Sequence, residues 1–125
     1  MIAPQRPKYL DLFRIRLPLP GLVSILHRIS GTALFVFAGV LLYLLQESLH
    51  SPASHAHFAT LTGHWLVKLF LLGMLWSFLH HFFGGLRFLL LDVHVASDLG
   101  PARAMSAAVL VVSLLLTAIL GVWLW

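Results

Sequence analysis

Positions 24 to 31 read Ser24-Ile25-Leu26-His27-Arg28-Ile29-Ser30-Gly31. At 100° per residue Ser24, Arg28 and Gly31 share one helical face and His27 stands beside it, so a hydroxyl, an imidazole and a guanidinium converge within two turns. Such a set grips a carboxylate, a phosphate or a quinone carbonyl. Snorkelling to lipid headgroups would explain an arginine alone, but it needs neither Ser24 nor His27. A second cluster is the adjacent pair His80-His81 within an apolar run. Neighbouring helical side chains diverge by 100°, so the two do not bind one metal from the same face, whereas one of them can. Gly73, Ser77 and Gly84 or Gly85 form a stripe around His81 at spacings of three and four. Small residues there admit a neighbouring backbone or a flat macrocycle; the plainer alternative is a packing seam with the histidines hydrogen-bonded to other helices.

Other polar positions suggest less chemistry. Arg87 with Asp92 reads as snorkelling or an interfacial ion pair. Lys68 reads as an interfacial anchor. His50, His55, His57 and His64 fall in a connection with no third metal ligand at fixed spacing, so they are read as solvated loop residues. The absence of cysteine excludes disulfides, thiolate metal sites and thiol catalysis.

The elements that carry these residues follow from composition. Of 125 residues 60% are hydrophobic and only 10% are Asp, Glu, Lys or Arg, against about 25% in an ordinary soluble domain. With a mean hydropathy of +0.96, the solvent that fits this chain is a lipid bilayer. Stretches 29–46, 69–86 and 104–125 contain none of those four charged residues. Extended by their flanks they predict an all-α membrane protein with three transmembrane helices at about 21–49, 62–92 and 102–125, in one membrane-anchor domain. Runs such as Leu89-Leu90-Leu91 and Leu114-Leu115-Leu116 lack the alternation of a β-barrel.

The net charge is +4, and four of the eight Lys and Arg are Arg6, Lys8, Arg14 and Arg16. They form no face suited to nucleic acid. Arg103 and Arg87 flank the second connection, while the first, 49–63, has neither Lys nor Arg. The 1–19 segment is therefore expected to be cytoplasmic, with Trp65, Trp123 and Trp125 at the outer interface. The N-terminal residues lack the features of a secretory signal or a transit peptide, and a multi-pass protein of the bacterial cell inner membrane is the expectation. Helix 1 runs outward and helix 2 inward, so Ser24 to Arg28 and His81 fall in the same half of the bilayer.

Arg6-Pro7, Leu10-Asp11-Leu12, Ile15-Arg16 and the Ser24 to Gly31 segment together resemble the cytochrome b membrane-anchor subunit of succinate dehydrogenase. His81, four residues before Gly85-Leu86-Arg87 and eleven before Asp92, matches that family's second motif: His, three residues, Gly-x-Arg-His, three residues, Asp. The resemblance covers nearly the whole chain. It implies packing with a partner three-helix anchor subunit, a haem b shared between the two, and docking of a flavoprotein and an iron–sulfur subunit on the cytoplasmic side. By the same resemblance His81 is the axial ligand of the haem iron, Ser24 and Arg28 line the ubiquinone site, and His27 and Arg28 stand near the haem propionates. The family's motif has His where this chain has Phe88, and His80 is an extra histidine.

The function so implied is that of a subunit of succinate:quinone oxidoreductase that does not itself bind succinate. Electrons from succinate would reach quinone at the membrane, linking the tricarboxylic acid cycle to the respiratory chain. The alternatives are a quinol:fumarate reductase anchor, or a haem-free proton-conducting or structural membrane subunit.

Overall fold

A computed structural model describes residues 17–95 and 98–125. Arg6, Lys8, Arg14 and Arg16, and the part of the family resemblance that lies in 6–16, are outside the described residues. Four helices follow in order: α1 (Leu19–Leu49), α2 (Pro52–Gly63), α3 (Trp65–Asp92) and α4 (Leu99–Leu124). With 31, 28 and 26 residues, α1, α3 and α4 are long and apolar enough to cross a membrane. Even the shortest extends about 39 Å at 1.5 Å per residue, more than the hydrocarbon thickness of about 30 Å.

α1 begins two residues before the expected start, because Pro18 takes the extended cap conformation and Pro20 fits the first turn, where no backbone N–H is required. The first connection differs from expectation: most of it is helical. Ser51 and Ser54 close a reciprocal cap, the Ser54 N–H donating to Ser51 Oγ at 3.1 Å and the Ser51 N–H to Ser54 Oγ at 2.9 Å, with Pro52 in the first turn. The single helix expected from about 62 is interrupted at His64, whose extended backbone ends α2 and whose Nδ1 accepts the Leu66 N–H at 3.3 Å. The histidines read as loop residues are therefore helical or capping. His57 pairs with Glu47 at 2.9 Å, and His55 Nδ1 donates to the Ser48 carbonyl at 3.0 Å, tying α2 to the end of α1.

α3 ends in a left-handed turn at His94 (φ 64°). The N–H groups of His94 and Val95 donate to Leu91 and Leu90 carbonyls, both at 2.9 Å, which satisfies the end of the helix. α4 starts before Gly100-Pro101 rather than after them, Pro101 again lying in a first turn.

α3 packs on both α1 and α4, and those two also touch. Where the helices meet, small side chains predominate. Ser30, Ser77, Ser106 and Ser113 are buried alongside Val23, Leu44, Leu79 and Val109, while Phe35, Leu42, Leu89 and Ile119 face outward. Bundles packed on small residues with large apolar groups outside suit a lipid solvent. At the far end of the bundle Lys68 Nζ lies 6.0 Å from the Trp125 ring, and Trp65 and Trp123 are exposed beside it.

Arg87 corrects the interfacial reading. It is 5% exposed, with its guanidinium 5.4 Å from the Phe88 ring, and no ion pair joins it to the exposed Asp92. Seven residues beyond His80, it shares the inward face of α3.

Candidate functional site

Contacts between α1 and α3 run antiparallel, His27 meeting His81 near one end and Phe37 meeting Phe70 further along. The two imidazoles stack with centroids 4.1 Å apart and planes 8° from parallel. His81 Nδ1 lies 3.0 Å from the His27 backbone carbonyl. A carbonyl only accepts, so Nδ1 carries the proton and donates, leaving the Nε2 lone pair without a partner among the described residues.

Each ring is seated against glycine on the opposing helix. A Cβ at Gly31 would stand 2.6 Å from His81 Cε1 and 2.9 Å from Nδ1; one at Gly84 would stand 2.7 Å from His27 Cδ2. Side chains at those two positions would push the rings off their seats. Phe88 closes the edge of His27 at 5.1 Å. His27 Nε2 is buried and has no hydrogen-bond partner among the described residues.

His80 lies in different surroundings. It has no exposed surface, stacks on Trp76 at 5.1 Å, and neither ring nitrogen is partnered among the described residues. The Val23 backbone of α1 lies near it without hydrogen-bond geometry. The 100° between neighbours thus turns His80 into the bundle and leaves His81 half-buried against α1. Gly73, Ser77 and Gly84 do not form one stripe around His81. Gly73 is exposed with nothing near it, Ser77 is buried on the inward face three residues before His80, and Gly84 backs His27.

Ser24 is half-buried and Arg28 exposed, on the same two turns of α1 as His27. Neither is hydrogen-bonded to His81, whose Nδ1 partner is the His27 carbonyl. The paired glycine seats were not anticipated, though a signal for them exists: His27-x3-Gly31 and His81-x2-Gly84 set a glycine about one turn after each histidine. Among the described residues no three His, Asp or Glu converge as metal ligands.

A family model for the succinate dehydrogenase/fumarate reductase transmembrane subunit matches residues 3–120. The succinate dehydrogenase cytochrome b556 subunit of Coxiella burnetii is 36% identical over 123 residues, covering 97% of this chain and 98% of that one. The subunit of the same name from Paracoccus denitrificans is 30% identical over 114 residues, covering 91% and 88%. With three helices of membrane-spanning length and composition, this is a multi-pass membrane protein. The chain belongs to the succinate dehydrogenase/fumarate reductase transmembrane subunit family, among its cytochrome b anchors.

Proposed function

We propose that this chain is half of the membrane anchor of a succinate:quinone oxidoreductase in a bacterial inner membrane. His81 gives one axial ligand to a haem b shared with a second anchor subunit, and Ser24 and Arg28 line a ubiquinone site beside the docked iron–sulfur and flavoprotein subunits. The observation that carries the reading is the contrast between neighbours. His81 is half-buried with Nδ1 engaged and Nε2 unpartnered among the described residues, whereas His80 is sealed inside this chain. A cofactor shared by two chains must approach from outside the bundle, and of these two neighbours His81 meets that condition.

The residues fit a haem. One imidazole per chain is the donor set for an iron whose remaining ligands come from a macrocycle and a partner. Beside it Arg28 is an exposed cation one residue past His27 and is available to a propionate, while His27 Nε2, buried and unpartnered among the described residues, is an orphaned polar atom that a propionate would satisfy once the Phe88 edge gives way. Held by one imidazole from each chain, such a haem would supply single-electron storage and transfer.

Succinate is oxidised on other subunits, and the names of the relatives support that direction. This chain's residues act on the quinone: the Ser24 hydroxyl donates to a carbonyl oxygen, and the Arg28 guanidinium stabilises the negative charge that builds there during reduction. The test is made on the complex that co-purifies with this chain. His81→Leu should abolish the haem b difference spectrum; an unaltered bis-imidazole spectrum would refute the assignment and pass the role to His80. Ser24→Ala and Arg28→Leu should each lower quinone reduction about tenfold or more, while succinate oxidation by an artificial acceptor survives. Loss of both activities together would indicate failed assembly instead.

A further inference from the structure

The carbonyl that receives the His81 proton is crowded. Ser30 Oγ also donates to the His27 oxygen, at 2.9 Å, and the helix directs the Gly31 N–H to the same atom. Three donors thus share an oxygen with two lone pairs. Gly31 determines whether the imidazole can reach it, because a Cβ there would overlap both Cε1 and Nδ1 of His81.

We infer that the α1 backbone from His27 to Gly31 is the orienting support of the axial imidazole, with Gly31 and Ser30 as positioning residues that set how strongly Nδ1–H is held. This rests on the reading of His81 as a haem ligand. Ligating histidines generally donate their second ring N–H to a fixed acceptor, which selects the tautomer and makes the ligating nitrogen more basic. Here the acceptor is a main-chain oxygen, which no side-chain substitution removes, and its strength is tuned by its neighbours. A stronger bond from Nδ1–H enriches the imidazole in electrons, favours oxidised iron and lowers the haem potential; a weaker bond raises it.

The two positioning residues predict shifts of opposite sign. Gly31→Ala displaces the ring from the carbonyl, so the haem midpoint should become more positive and the low-spin resonance should change, or haem should be lost from a complex that still holds its soluble subunits. Ser30→Ala removes a competing donor at a fully packed position, and the midpoint should become more negative. Gly39→Ala, where a Cβ meets nothing within 4 Å, controls for replacing any glycine of α1 and should leave the midpoint in place.

Redox titration and electron paramagnetic resonance of the purified complex read all three. His81→Leu is measured alongside them. If it keeps an unaltered bis-imidazole haem, the ligand reading fails. If it loses the haem or alters its spectrum while Gly31→Ala and Ser30→Ala leave the midpoint unmoved, or shift it in the same direction, the support inference is overturned. Should Gly31→Ala not assemble, Ser30→Ala decides alone: a more negative midpoint upholds the inference, and an unchanged or more positive one overturns it.

Discussion

Burying an imidazole without hydrogen bonds costs about 1–3 kcal/mol, and His80 is held this way with both nitrogens unpartnered among the described residues. What holds it is shape: it fills the space between helices and stacks on Trp76. Replacing it by a ring of similar size without polar atoms should therefore be tolerated. His80→Phe is expected to keep the haem spectrum and to melt at or above the wild-type temperature, whereas His80→Ala opens a cavity costing about 2 kcal/mol. A lost spectrum in His80→Phe, with the soluble subunits still attached, would assign His80 a role in ligation. The sequence carried half of this distinction. A 100° step told His80 and His81 apart, but which of them faces inward depends on where α1 and α4 pack, and that is a tertiary fact. That Ser24, His27 and Arg28 lie on two turns of one helix was legible because their spacing is local. The bond from His81 to the His27 carbonyl was not, since it joins residues 54 positions apart through a main-chain atom.

Among the elements, the three long helices were legible because each contains a charge-free run that no soluble fold requires. α2 was not, because its twelve residues, Pro-Ala-Ser-His-Ala-His-Phe-Ala-Thr-Leu-Thr-Gly, present no apolar stripe for periodicity to detect. Its readable signal was the cap, Ser51-Pro52 followed by Ser54. That cap should govern the segment's stability. Ser51→Ala removes one of the two reciprocal bonds and is expected to destabilise α2 by about 1 kcal/mol. Hydrogen exchange should show faster amide exchange at 54–57 without a change at the His27–His81 contact. Slowed or unaltered exchange would mean that the His57–Glu47 and His55–Ser48 contacts hold α2 unaided. The break at His64 depends on a side chain capping its own helix, a local contact that hydropathy windows average away.

For the molecule as a whole, water-soluble packing logic is reversed. Apart from His80 and Arg87, the buried positions are held by serine, Gly84 and a few aliphatic residues, while bulky apolar side chains form the outer surface. In lipid, outward leucines gain nothing by turning inward, so helices associate where small side chains allow close approach. The hydroxyls are satisfied locally: Ser106 donates to Ala102 at 2.7 Å and Ser113 to Leu110 at 3.1 Å, both within α4. Neither bond joins two helices, so these serines contribute by being small rather than by bridging. Ser113→Ala should then change stability by less than about 0.5 kcal/mol. Ser113→Leu and Ser106→Leu, at positions with no exposed surface, should each cost about 1–3 kcal/mol by forcing α4 away from α1 and α3. Thermal melting of the detergent-purified complex measures the difference. If alanine proved as damaging as leucine, the hydroxyls would have to be bridging helices, and close approach would no longer explain how the bundle holds together.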